Sequence, residues 1–227
     1  MDRTHTRLSR CLAEMLGTFM LVFVGTAAIT VNALTNGAVS HTGICLAFGL
    51  VVLAIIYAIG DVSGAHINPA VTIAFCLARR FEAREVLPYI VFQIAGAIGA
   101  SLVVATIFPN DVTLGETLPQ LPDGQAFTLE TTITFILMFI VLCVSRGPKE
   151  RGITAGIAVG SAVTFLALVA GPHTGASMNP ARTLGPALVS GNMDGLWLYM
   201  GATTLGAAIA VPVYGIIFAG KREAPIV

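Results

Sequence analysis

One heptapeptide pattern, Gly-Ala-x-x-Asn-Pro-Ala, occurs twice. Gly64-Ala65-His66-Ile67-Asn68-Pro69-Ala70 is matched by Gly175-Ala176-Ser177-Met178-Asn179-Pro180-Ala181, and the two asparagines stand 111 positions apart. The same offset aligns Ala47 with Ala158, Gly49 with Gly160 and Gly60 with Gly171. At a slightly different spacing, Glu14-x-x-x-Thr18-Phe19 echoes Glu130-x-x-x-Thr134-Phe135. A chain built from two such halves must place two equivalent turns in equivalent surroundings.

The surroundings are apolar. Of 227 residues, 56% are hydrophobic and only 11% charged, and the mean hydropathy is +0.86. Soluble domains carry roughly a quarter charged residues. Twelve basic residues balance twelve acidic ones, which excludes a nucleic-acid binder or a polybasic membrane-surface protein, and disorder needs a more polar chain. The 24 glycines suit closely packed membrane helices. Cys11, Cys45, Cys76 and Cys143 have no metal-ligand spacing and read as small core residues. The sequence describes an integral membrane protein.

A bilayer-spanning helix needs about 20 mainly apolar residues. Six stretches qualify: Leu12–Val31, Gly43–Ile59, Leu87–Phe108, Leu129–Val144 with its flanks, Ala155–Ala170 and Leu196–Phe218. The first is long and holds Glu14, unlike a cleavable signal peptide. Asn68–Ala78 and Asn179–Val189 are too short to span and read as re-entrant half-spans. The expected fold class is therefore an all-α membrane protein with six transmembrane helices and two re-entrant half-helices, one channel domain over residues 1–227. Its repeats cover approximately 12–108 and 129–218. Three spans per half is odd, so the second half enters from the opposite face. Such an inverted repeat places a solute path at the midplane between broken helices.

Cations set the orientation. Arg3, Arg7 and Arg10 precede the first span, and Arg79, Arg80 and Arg84 follow the second. Arg146, Lys149 and Arg151 follow the fourth, and Lys221 and Arg222 the sixth, whereas loops 32–42 and 109–128 hold no Lys or Arg. Both termini are expected in the cytoplasm, and the short loops suggest a bacterial inner membrane. Arg182 breaks the pattern, lying among apolar residues on the outer half, where an ionisable group signals function.

The tripeptide explains itself. Asn is a favoured N-cap, Pro at the next position presets a helical φ and lacks an amide that would be orphaned anyway, and Ala is small enough to let two caps meet. Asn68 and Asn179 would begin half-helices from opposite faces, with amide N–H groups free to point into a pore as donors. Two positive helix ends meeting there disfavour cations, including a travelling proton.

The paired Asn-Pro-Ala motifs, the Glu14-led first span, Ser63–Thr72 and Asn179-Pro180-Ala181-Arg182 resemble the aquaporin (major intrinsic protein) family from about Ala13 to Phe218. The resemblance implies a right-handed bundle of six tilted helices and two half-helices, one pore per subunit, and a homotetramer in membrane lipid. It places the pore motifs at Asn68, Pro69, Ala70, Asn179, Pro180 and Ala181, and an aromatic/arginine filter at Phe48, Ala167, Ala176 and Arg182. It makes Glu14, Glu130 and His66 loop supports. Water-selective members have a histidine at the position of Ala167. Glycerol facilitators have two aromatics, and an aspartate where Thr183 stands here. Gly171–Met178 and Tyr199 are most similar to nodulin-like members and their bacterial relatives, which pass water, glycerol, urea and uncharged metalloid hydroxides such as arsenite or boric acid.

Other residues point to no chemistry. Asp61, Asp111, Glu116, Asp123 and Asp194 are expected in loops and form no catalytic pair. His173 is either a passive loop residue or a pH gate. Gly96/Ala100, Gly156/Gly160 and Ala202/Gly206/Ala210 are small faces for helix packing, and Met20, Met138 and Met200 are packing residues. No Ser/His/Asp grouping, phosphate loop or metal-ligand spacing is present, so neither an enzyme nor a cofactor is expected. The favoured function is a passive channel for water and small neutral solutes that excludes ions and protons, with no nucleic-acid partner. The alternatives are a water-selective channel, or an ion-coupled transporter, which would need a titratable residue at the midplane.

Overall fold

The computed structural model describes residues 5–111, 113–145 and 149–219, without the side chains of 149–153. Arg3, Arg146, Lys221 and Arg222 lie outside the described residues, as do the side chains of Lys149 and Arg151. The elements run α1 Arg7–Leu34, α2 Ser40–Ser63, α3 Pro69–Leu77, α4 Ala83–Ile107, α5 Asp123–Val144, α6 Lys149–Thr174, α7 Pro180–Ser190 and α8 Leu196–Ile217. Among the described residues, six helices are long and apolar enough to cross a membrane, and α3 and α7 are short.

The long helices α1, α2, α4, α5 and α6 begin before their apolar stretches, whereas α8 starts at Leu196 as its stretch does. Thr6 caps α1 by accepting from the Ser9 amide at 3.1 Å, so the helix begins five residues before Leu12. Asp61 lies in the last turn of α2 and Asp123 opens α5, so these two acids are helical rather than in loops. An acid in the first turn of α5 faces the positive end of that helix.

The order long, long, short, long occurs twice, and the packing repeats with it. α1 packs on α4 as α5 packs on α8, and α2 packs on α6 at the centre. The short helices pack across the halves, α3 on α8 and α7 on α4. Small residues make the close approaches possible. A Cβ on Gly96 would collide with the Met15 carbonyl of α1, and one on Gly206 with the Thr131 carbonyl of α5. Between α2 and α6, a Cβ on Gly160 would come within 2.6 Å of the Gly49 carbonyl. Such close backbone approach is how helices associate when lipid is as apolar as their side chains. Outward-facing Leu50, Leu87, Val91, Val169 and Ile216 are exposed, as lipid contact requires. Met138 and two of the four free cysteines, Cys11 and Cys45, are buried.

At one end of the bundle, Arg7 and Arg10 of α1 bind Glu85 of α4 at 3.2 and 3.4 Å. Arg80 stacks over Tyr214 of α8 and donates to the carbonyl of Leu142 in α5 at 2.8 Å. The described cations of α1, α4 and the α3–α4 connection therefore share this end.

Candidate pore and selectivity filter

Both half-helices start as their tripeptides dictate. The Asn68 side chain accepts from Ala70 N at 2.9 Å, and that of Asn179 accepts from Ala181 N and Arg182 N at 3.0 and 3.4 Å. Pro69 and Pro180 occupy the first helical positions. The side-chain amides are not both free. Asn68 Nδ2 donates to the carbonyl of Met178 and Asn179 Nδ2 to that of Ile67, each at 2.8 Å. A primary amide has two N–H donors, so each asparagine spends one on the opposite loop and keeps one. The loop carbonyls needed partners as much as the pore needed donors.

The loops before the caps carry an unusual backbone. Gly64, Ala65 and Ile67 have φ of 88°, 47° and 45°, and Gly175, Ala176 and Met178 have 77°, 45° and 52°. Left-handed non-glycine residues cost of order 1–3 kcal/mol each. They turn consecutive amides to one side, a concavity suited to an anion. Glu14 fills the first, accepting from His66 N at 2.9 Å, Ile67 N at 2.6 Å, Ser63 Oγ at 2.7 Å and Gln93 Nε2 at 2.8 Å. Glu130 fills the second, accepting from Ser177 N at 2.9 Å, Met178 N at 3.1 Å and Thr174 Oγ1 at 2.6 Å. Both glutamates are fully buried. Tyr89 and Tyr199 complete the frames, donating to the carbonyls of Ser63 and Thr174 at 3.0 and 2.7 Å.

His66 packs against Phe75, Phe81 and Tyr89, with ring centroids 4.7, 4.8 and 5.3 Å away. Its Nδ1 lies 3.2 Å from Thr72 Oγ1, and Thr72 already donates its proton to the Asn68 carbonyl at 3.0 Å. Nδ1 therefore carries the hydrogen in this contact, and Nε2 remains an acceptor. His173 lies in the last turn of α6 rather than in a loop; it is exposed, and its carbonyl accepts from Gln120 N at 2.8 Å.

A cavity of about 480 Å³ extends within the bundle, lined by Arg80 and Ser145, by His66, Asn68 and Asn179, and by Phe48, Ala167, Ala176 and Arg182. Pro69, Ala70, Pro180 and Ala181 do not line it but are buried behind the caps. Arg182 is 1% exposed; its Nη1 donates to the Gly115 carbonyl at 2.8 Å, while Nε and Nη2 have no hydrogen-bond partner among the described residues. The guanidinium carbon stands 5.1 Å from the centre of the Phe48 ring, within cation–π range. Phe48 fits because Gly25 of α1 leaves the space its ring occupies. Among the described residues, no group of three His, Cys, Asp or Glu could hold a metal ion.

Sequence reasoning missed Gln93, Thr117 and Tyr89 as supports. The 111-residue offset carries the signal for others, since it pairs Ser63 with Thr174 and Thr72 with Thr183. Gln93 and Thr117 come from α4 and from the α4–α5 loop, which are not equivalents, and no repeat announces them.

The sequence pattern described as major intrinsic protein matches residues 1–214. The chain belongs to the major intrinsic protein family. It is a multi-pass integral membrane protein of a non-enzymatic channel family. It is 43% identical over 210 residues to Aquaporin NIP1-3 of Oryza sativa subsp. japonica, covering 92% of this chain and 73% of that one. It is 41% identical over 211 residues to Nodulin-26 of Glycine max, covering 92% and 78%. The X-ray structure of the aquaglyceroporin from Plasmodium falciparum superposes with a TM-score of 0.82 at 26% identity, covering 94% of this chain and 98% of that one.

Proposed function

We propose that the protein is a passive channel for water and small neutral solutes (glycerol, urea or a metalloid hydroxide such as arsenous or boric acid) and that it excludes ions and protons. The observation that carries this reading is Arg182, a buried cation with two nitrogens unpaired among the described residues, at a cavity whose walls here include Phe48 and two alanines. A neutral solute that leaves water regains hydrogen bonds from the guanidinium, and its carbon skeleton meets the apolar ring. A cation meets a fixed positive charge in a low-dielectric wall. At the caps, a water that accepts from the two remaining asparagine N–H groups has both lone pairs engaged. It cannot then take a proton from its neighbour, and the N-termini of α3 and α7 add positive potential there.

The nodulin and NIP relatives and the likeness to an aquaglyceroporin favour solutes wider than water. We further read the chain as one channel domain of two inverted repeats, with both termini cytoplasmic because the clustered arginines mark that end. We assign it to a homotetramer in a bacterial inner membrane.

The test is stopped-flow permeability in proteoliposomes for water and a panel of neutral solutes, without an ion gradient. Wild type passes a small polyol or metalloid hydroxide. Ala167→His fills the space beside Phe48 and lowers that flux several-fold, about 1 kcal/mol in barrier, with water flux much less affected. Vesicles that swell with water yet exclude every solute would show a narrower pore, and uptake that needs an ion gradient would show a transporter.

A further inference from the structure

Thr72 and Thr183 stand at matching positions in the first turn of the two half-helices. Thr72 is fixed from a helix, accepting from Gln93 Nε2 of α4 at 3.0 Å. Among the described residues Thr183 has no amide donor of this kind. Its Oγ1 lies 2.6 Å from Ser177 Oγ and 2.9 Å from Thr117 Oγ1, and Thr117 belongs to the α4–α5 loop. Counting protons gives the direction. Ser177 donates to the Asn179 carbonyl at 3.0 Å, and a hydroxyl has one proton. With that proton on the carbonyl, Thr183 donates to Ser177 and Thr117 can donate to Thr183.

The chain Thr117 to Thr183 to Ser177 to Asn179 is buried throughout. One end is a loop outside the membrane helices. The other is the residue that caps α7 and fixes where Arg182 leaves the backbone. Two further contacts converge on the same loop. The Gly115 carbonyl holds Arg182 Nη1 at 2.8 Å. Thr117 lies directly on Gly175, the left-handed residue that opens the second re-entrant loop, where a Cβ would come within 3.0 Å of Thr117 Cα. Neither Gly115 nor Thr117 lines the cavity. The loop is itself stapled on either side of Gly115, by Thr30 donating to Asp111 at 2.5 Å and Asn192 donating to Glu116 at 2.8 Å.

We propose that Thr117 is a positioning residue for selectivity: through Thr183 and Ser177 it sets the placement of the Asn179 cap and Arg182, and so the effective width of the filter. The inference rests on the neutral-solute reading above. Loss of the hydroxyl releases the filter from the loop and raises the permeability of larger solutes relative to water.

The experiment measures the glycerol-to-water permeability ratio, by stopped flow on full-length protein in proteoliposomes, for wild type, T117V, T117S, T183V and the T117V/T183V pair. Thermal midpoint and yield are measured in parallel. T117V is expected to raise the ratio about threefold or more, T117S to restore it, and the pair to add nothing beyond either single change, as for one coupled unit. T117V that conducts with the wild-type ratio, or T117S shifted as far as T117V, would overturn the proposal. If T117V does not insert, T117A is held to the same criteria, and failure of both overturns it by making the role purely structural. If wild type passes water alone, the solute reading falls separately; T117V that then admits glycerol supports positioning, and T117V that still excludes it does not.

Discussion

The side-chain amide of Asn68 donates to the carbonyl of Met178 at 2.8 Å, across 110 positions of chain. The reciprocal bond from Asn179 to Ile67 has the same length. Each asparagine is thus a helix cap, a cross-link and a pore donor together. Asn68→Asp and Asn179→Asp keep the cap but set a carboxylate against a carbonyl with no donor between them. An unsatisfied buried acceptor costs about 1–3 kcal/mol, so either variant should melt lower in detergent and insert in smaller yield. What survives should lose its discrimination against cations in vesicle flux assays. Variants with wild-type melting and flux would mean the crossed bonds contribute nothing.

Arg182→Val removes the fixed charge and leaves the Gly115 carbonyl unpaired. Neutral solute flux should stay equal or rise, while a measurable Na⁺ or proton leak appears that wild type lacks. Liposomes loaded with a pH-sensitive dye read the leak directly. A wild-type protein with robust ionic current would remove Arg182 and the helix ends as the barrier.

The glutamates should differ in degree. Glu14 accepts four hydrogen bonds and Glu130 three. Glu→Gln turns one acceptor oxygen into a donor that faces other donors. Bonds to a charged group are worth roughly 1.5–3 kcal/mol each, so Glu14→Gln should lower the thermal midpoint more than Glu130→Gln, and both should reduce channel activity. Equal midpoints for wild type and Glu14→Gln would exclude this role.

Acid should weaken the α4–α5 loop at Asp111 only at low pH. Burial opposes ionisation of Asp111, but hydrogen bonds from Thr30 and Thr113 outweigh it and hold the carboxyl below its ordinary 3.8. A carboxyl lowered on folding contributes stability that is complete above its unfolded value and lost as pH falls through the folded one. Asp111→Asn should therefore be less stable than wild type at neutral pH, with the gap closing below about pH 4. Thermal melts from pH 7 to 3 measure that gap; one that stays constant would separate Asp111 from the loop's stability.

Much of this was legible in the residues. Six apolar runs and two short segments beginning at asparagine follow from length and capping chemistry, whereas the glutamates receiving loop amides were implied by the family resemblance. The crossed asparagine bonds did not follow, because the carbonyls of Ile67 and Met178 are freed only by left-handed φ at non-glycine residues. Local sterics disfavour that conformation, and no local pattern announces it; Glu14 and Glu130 impose it from other helices. Asp61 and Asp123 were misplaced for a simpler reason. Hydropathy ends where polarity begins, whereas a helix ends where its backbone groups find other partners.

The crossed bonds also bear on how the molecule is made. Among the described residues, the carbonyl of Ile67 is satisfied by Asn179, which leaves the ribosome more than a hundred positions later. The first half, inserted alone, holds a strained turn with an orphaned acceptor in a medium that offers no substitute. Its completion must wait for the second half to arrive. The two segments are then less a duplicated pair of independent modules than mutual templates, and a chain cut between α4 and α5 can become a channel only when both fragments share the same membrane.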